Sequence, residues 1–446
     1  MSIDDIIQNE LCTGCGVCIS EDKTKTAKMI WNSSGFLIPE LTKNSTRDKM
    51  YSVCPFNPNV KNEDALGEAL YQKFTENYNE KIGYYNGLYA GYSHKYRETS
   101  SSGGIATYIF EKLLNKKIVD HLFIVKEGIN GFEYQFFSDI HDIRKVSKTR
   151  YMPVTLEKLF QEIENIDGRI AVSGVACFVK AIRLKQENNP KLKDKIPFVV
   201  GIVCGGLKSK YYTDFLAQSA GCKDKYKAVQ YRVKNKKSYA MDYKFSCTSE
   251  NNNRIYMVDM QKLGDMWGTG LFKCNACDFC DDVLTELADI SLGDAWIPPY
   301  NQSGLGTNIV ISRSQLAEKL ISYGINSKEL NLEKILEARI IESQSGSFNH
   351  RHNGLLFRLN NLSKNKAFMP TKRKRILEKQ NFLHNLIQSK RLITREKSIE
   401  YWQAYKSLDE FNESISPLLN NLRFYTKISH KILRVKYIMK KIVGVE

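Results

Sequence analysis

The chain has 446 residues, of which 42% are hydrophobic and 26% charged, and it carries a formal net charge of +17. Those values fit two or three packed domains and exclude a disordered or fibrous chain. Eleven cysteines are an odd number, which argues against a complete disulfide framework. The start, Ser2-Ile3-Asp4-Asp5, lacks the regions of a signal peptide. The best apolar run, Ile196 to Leu207, is about half of what spans a bilayer. A cytoplasmic protein is expected, with its thiols reduced and open to metals.

Residues 1–60 read as a ferredoxin-type 4Fe-4S domain. Cys12, Cys15 and Cys18 place three thiolates around one small volume, and Gly14 and Gly16 permit the tight turns. Cys54, followed by Pro55, is the expected fourth ligand. Structural zinc also uses short Cys spacings, but usually as paired C-x2-C knuckles, so the C-x2-C-x2-C triplet favours iron–sulfur.

Residues 61–82 look like a charged helical connector. A strand follows at 87–92, then Ser100-Ser101-Ser102-Gly103-Gly104, opening a helix with Ile105, Ile109 and Leu113 on one face. Ser102, Gly103 and Gly104 are candidates to hold the phosphate of a flavin or deazaflavin at that helix N-terminus. An ordinary Ser N-cap is the alternative.

Strand and helix patterns then alternate. Residues 118–126 are strand-like and 156–163 helix-like. Arg169 to Arg183 reads as strand, tight turn and helix. Residues 197–203 form a buried strand ending at Cys204. This is the pattern of an α/β sheet, with ligands beyond the strand ends, which places Ser173 and Gly174 among the cofactor-binding candidates. Either Cys177 or Cys204 should complete a second cluster; the glycine-flanked Cys204 is preferred, and Cys177 is then a catalytic candidate at the flavin. Cys222 and Cys247 read as plain buried thiols.

Residues 228–260 suggest a β-hairpin. The second triplet follows, Cys274, Cys277 and Cys280, then Ala288-Asp289-Ile290 and Gly293-Asp294-Ala295-Trp296. Asp289, Gly293 and Asp294 either cap loops near the cluster or position a flavin hydroxyl or a proton. No Rossmann or P-loop motif is present.

From residue 370 to the end there are 17 Lys and Arg against 7 Asp and Glu. Ile428, Ile432, Val435, Met439 and Ile442 share one helical face, and Lys427, Lys431, Arg434, Lys436, Lys440 and Lys441 cover the rest. Such a helix either packs on its own body, which amphipathic helices usually do, or lies on an anionic membrane. No nucleic-acid module accompanies the charge.

These residues resemble the coenzyme F420 hydrogenase/dehydrogenase beta-subunit family, which includes plant 7-hydroxymethyl chlorophyll a reductase and bacterial proteins of polysaccharide gene clusters. The similar elements are Ser102-Gly103-Gly104, Lys148-Thr149-Arg150-Tyr151, Gly174 to Phe178, Cys204-Gly205-Gly206, Lys273 to Cys280, and Ala288 to Trp296. Ala176, Phe178 and Gly205 depart from the family pattern. The resemblance implies an FAD-containing mixed α/β domain with one 4Fe-4S cluster at 83–345, joined to the ferredoxin module and followed by a basic helical extension at 346–446. It adds Arg150 as a cofactor-binding residue. It implies an oxidoreductase acting on a small molecule, sugars and lipid-linked sugars included, with coenzyme F420 as a candidate co-substrate. The alternative is an electron-transfer subunit serving a ferredoxin or reductase partner.

Overall fold

The computed structural model describes residues 2–128, 131–140, 143, 148–364 and 368–443, without the side chains of 436–438 and 440–443. At its centre is an eight-stranded mixed sheet. Four parallel strands lie side by side: Ile290–Asp294, Phe198–Ile202, Ile170–Val175 and His121–Gly128. Gly131–Phe137 adds one antiparallel edge. Beyond Ile290–Asp294 come Asn308–Ser312, Gly87–Ser93 and Leu330–Lys334, each antiparallel to its neighbour.

The parallel strands are apolar on both faces because both faces are covered. Ile170, Val172 and Val199 pack with Phe178, Val179 and Ile182 of helix Ala176–Asn188. The alternate residues, Ala171, Phe198 and Val200, pack with Ile105, Tyr108 and Ile109 of helix Ile105–Asn115. The expected hairpin at 228–260 is a separate three-stranded antiparallel sheet, Tyr226–Lys234, Tyr243–Ser249 and Ile255–Asp259. Its third strand follows the turn at Asn251-Asn252-Asn253.

The N-terminal residues build helix Ile3–Gln8, the hairpin of Lys28–Trp31 with Leu37–Glu40, and helix Arg47–Ser52. Ile3, Ile6, Leu11 and Phe56 share one core with Ala276, Phe279, Leu355, Leu359 and Ile376. The two cysteine triplets are therefore packed together.

The C-terminal residues are helical, chiefly Leu355–Lys364, Phe382–Tyr405 and Leu408–Val443. Trp402, Phe411, Ile415 and Leu419 enter a core with Phe215 and Phe272. In the terminal stripe Ile428 is half-buried, whereas Ile432, Val435 and Met439 are 44%, 55% and 58% exposed, so that outer part does not pack on the described body. The Ile442, Lys436, Lys440 and Lys441 side chains lie outside the described residues. Among the described residues, no helix is long and apolar enough to cross a membrane.

Candidate functional site

The first thiol group is shaped by two left-handed glycines, Gly14 and Gly16, both at φ +74°. A Cβ on Gly14 would lie 2.9 Å from the Leu37 carbonyl oxygen, and one on Gly16 would lie 1.9 Å from Thr155 Oγ1. Only glycine fits this close, left-handed turn. Cys12, Cys15, Cys18 and Cys54 line one small apolar cavity with Ile3, Ile6, Leu11 and Phe56. The Gly14 N–H donates to Cys12 Sγ at 3.4 Å. Burial, reinforced by Cys15, pushes the Cys54 thiol up to about 12. Burial and the other three thiols raise Cys18 as well. Thiols that repel one another as anions in a dry site take the thiolate form around a cationic metal centre.

The second group gathers five thiols. Cys274, Cys277 and Cys280 surround the short turn Asn275–Phe279. Cys277 Sγ accepts from the Leu207 N–H at 3.1 Å, and Cys204 Sγ from the Gly206 N–H at 3.3 Å. Cys177 is raised by burial and then by the charges of Cys280, Cys277, Cys204 and Cys15, so it stands between the two groups. Cys274 Sγ lies 3.6 Å from the Cys12 carbonyl oxygen. Among the described residues, no three His, Cys, Asp or Glu side chains converge on a point that would hold a single ion.

Sequence reading missed the cations around this group. Arg351 is 2% exposed and donates to Cys280 Sγ at 3.6 Å, to the Asp282 carbonyl at 2.8 Å and to the Cys204 carbonyl. Asp278 pairs with Lys273, with Arg395 at 2.9 Å and with His350 at 3.0 Å. Arg373 joins Asp281 at 3.2 Å and Glu286 at 2.8 Å. Part of the C-terminal charge thus neutralises the acidic residues of the second cysteine loop. No local pattern announces these pairs, because the partners are far apart in sequence.

A cavity of about 320 Å³ opens at the carboxyl ends of the parallel strands, where α/β sheets place ligands. Ser173, Gly174, Cys204, Gly293 and Asp294 line it, facing Ser100, Ser102, Gly104 and Arg150. Three buried polar atoms in this wall lack a hydrogen-bond partner: Ser100 Oγ, Arg150 Nε and Asp294 Oδ1. Buried polar atoms are normally paired, so these three are suited to a ligand. Burial lowers Arg150 to about 10, and its guanidinium stacks 4.6 Å from the Phe132 ring centroid. The other Asp294 oxygen accepts from Arg232 Nη1 at 2.7 Å. Lys208, also in the wall, is lowered to about 7 by burial and lies 4.6 Å from the Trp267 ring centroid. The alternation of strand Tyr226–Lys234 was the available signal for Arg232; Lys208 and Trp267 had none.

Three candidates fall outside the cavity wall. Asp289 accepts from Arg183 Nη2 at 2.9 Å and from the Val199 N–H at 2.8 Å, so its carboxylate ties sheet to helix. It precedes strand Ile290–Asp294 at the amino end, away from the ligand end occupied by Asp294. Gly103 is enclosed by protein: a Cβ there would lie 2.7 Å from Asn308 Oδ1 and from the Gly91 carbonyl oxygen. Cys177, expected at the reacting centre, is with the thiols and does not line the cavity. Cys222 and Cys247 are buried, as expected, and burial, with Cys222 beside it, pushes the Cys247 thiol up to about 12.

Comparison with known proteins gives one family. The N-terminal model of the coenzyme F420 hydrogenase/dehydrogenase beta subunit matches residues 88–161, and the C-terminal model matches 167–338. A coenzyme F420-dependent sulfite reductase of Methanocaldococcus jannaschii is 21% identical over 352 residues, which are 76% of this chain and 50% of that protein. The chain thus spans half the length of that relative. One of the subunits of the F(420)H(2) dehydrogenase of Methanosarcina mazei is 22% identical over 326 residues, which are 71% of this chain and 83% of that protein. A chain of the F420-reducing NiFe hydrogenase complex from Methanosarcina barkeri has a similar fold, with a TM-score of 0.50 and 17% identity over 67% of this chain and 99% of that one.

Proposed function

Since the chain belongs to the coenzyme F420 hydrogenase/dehydrogenase beta-subunit family, we propose that it is an iron–sulfur flavoprotein oxidoreductase. In this reading the large cavity binds FAD and the two thiol groups each bind a 4Fe-4S cluster. A bound flavin supplies exchange between two-electron and one-electron chemistry. The observation that supports the reading most is continuity: Cys204 lines the cavity and joins the second thiol group, and Cys274 of that group reaches Cys12 of the first. Amide donors on Cys12, Cys204 and Cys277 suit cluster thiolates, whose potentials depend on such bonds.

Cys12, Cys15, Cys18 and Cys54 are the ligands assigned to the first cluster. Cys274, Cys277 and Cys280, with Cys204, are those assigned to the second, and Cys177 stands beside both. Ser102, Gly104 and Arg150 are suited to hold the anionic part of the cofactor. Ser173, Gly174 and Gly293 bring backbone close to it. Asp294 is held by Arg232 through one oxygen, and its other, unpartnered oxygen is assigned to accept a hydrogen bond from a cofactor or substrate hydroxyl at the cavity wall.

The substrate side of the proposal is a small molecule, with coenzyme F420 as co-substrate or a lipid-linked sugar of polysaccharide synthesis as acceptor, in the cytoplasm. A second reading, an electron-transfer subunit feeding a separate reductase or ferredoxin, draws support from the hydrogenase complex that holds the similar chain. Anaerobic purification, metal and sulfide analysis, and mass spectrometry of the extracted cofactor test the proposal. Iron, sulfide and FAD together support it; zinc without sulfide overturns it. Turnover of reduced coenzyme F420 by the isolated chain separates the enzyme from the transfer subunit.

A further inference from the structure

We propose that the part of helix Leu408–Val443 beyond Leu422 docks on an anionic lipid surface. The first half of this helix belongs to the body: Phe411, Ile415, Leu419 and Leu422 are at most 8% exposed. Beyond Leu422 the helix leaves the body: Leu433, on the azimuth of the buried face, is 60% exposed, and a second apolar stripe appears on another side. Phe424, Ile432, Val435 and Met439 are between 44% and 60% exposed. At 3.6 residues per turn their stripe lies roughly 140° around the helix from the buried face. It therefore does not continue the packing of the first half. The described part of this stretch extends for about 30 Å at 1.5 Å per residue.

The charge on this stretch selects the occupant. From Ser414 to Val445 there are seven Lys and Arg and no Asp or Glu. Lys427 and Lys431 flank one side of the stripe by helical spacing, and Arg434 lies further round that side. A second copy of this helix would bring like charge against like charge. Nucleic acid would match the charge and leave the apolar stripe in water. An anionic membrane satisfies both features, since apolar side chains enter the acyl boundary while basic ones reach the headgroups.

The test uses the full chain with vesicles of phosphatidylcholine alone or mixed three to one with phosphatidylglycerol. Two full-length variants carry the controls: Ile432→Asp with Val435→Asp, and Lys427→Glu with Lys431→Glu and Arg434→Glu. All these side chains are exposed, and circular dichroism with unfolding temperature verifies that the body is intact. The native chain should co-sediment with the mixed vesicles, weakly with neutral ones, and less as salt rises. The charge variant should lose at least roughly a hundredfold in affinity, because each basic group adds about fivefold. The apolar variant should also lose binding. No binding by the native chain, or native-level binding by either variant, overturns the proposal. A dimer abolished by the apolar variant without vesicle binding assigns the stripe to a second copy instead. Binding to duplex DNA that only the charge variant weakens, again without vesicle binding, assigns it to nucleic acid.

Discussion

Arg150 is half-buried in the cavity wall, with its Nε enclosed and without a hydrogen-bond partner, and it forms no ion pair with a described residue. A charge-assisted hydrogen bond contributes roughly 1.5–3 kcal/mol. Arg150→Met should therefore weaken binding of FAD by about ten- to a hundredfold, read by fluorescence titration of the apoprotein. Unchanged affinity would place the anion elsewhere. Gly104→Asp, which would set a carboxylate at the same anion site, is a poor probe. Gly104 sits at φ +84°, and a Cβ there would lie 2.7 Å from the Tyr96 carbonyl carbon, so the loop itself would fail. The two aspartates of the second motif separate in the same way. Asp289→Asn should cost about 3 kcal/mol of stability, because it leaves buried Arg183 without its charge partner. Asp294→Asn takes the charge partner from the equally buried Arg232, so it too should lower the unfolding temperature, and it should alter turnover as well. Strand polarity was enough to distinguish them: one residue is at the amino end and the other at the carboxyl end of the same strand. Residue type alone was not.

The elements that formed as read are those whose information is local. A triplet of cysteines, a Ser-Gly turn before a helix, and a doubly apolar strand each carry their signal within a few residues. The π-helical turn Asn349–Asn353 does not. It brings His350 and Arg351 to a cysteine loop some seventy residues earlier, and periodicity assigns such a turn no partner. π-helical turns are frequent at functional sites. Arg351 has a testable consequence there. Reduction adds negative charge to a cluster, and the nearby guanidinium stabilises the reduced form. Arg351→Met should make the second cluster's potential more negative by on the order of 1 kcal/mol, roughly 40 mV for one electron. Arg351→Lys should recover most of the difference. Redox titration followed by EPR measures both, and equal potentials in all three proteins would limit Arg351 to bracing the loop.

At the scale of the whole molecule, three stretches distant in sequence meet at one place: the N-terminal loop, the second triplet and the C-terminal turn. The succession of strands and helices along the chain was legible in outline, whereas the order of strands in the sheet and the contact of Cys274 with the Cys12 carbonyl were not, because nothing local links those positions. That contact sets the order of the proposed electron route as cavity, second cluster, first cluster. Cys274→Ser and Cys12→Ser should each remove about half the iron, since each cluster depends on its own thiolates. Their kinetic effects should differ. With Cys12→Ser, the cavity cofactor should still be reduced at the native rate, because the cavity and its neighbouring cluster are intact. Transfer onward to a one-electron acceptor should slow sharply, because the last step is missing. With Cys274→Ser, transfer should stop one step earlier and the first cluster should remain oxidised. Stopped-flow spectra under anaerobic conditions separate the two patterns. If Cys12→Ser delivers electrons to the acceptor at the native rate, the exit lies at the second cluster, and the first cluster is not on the route.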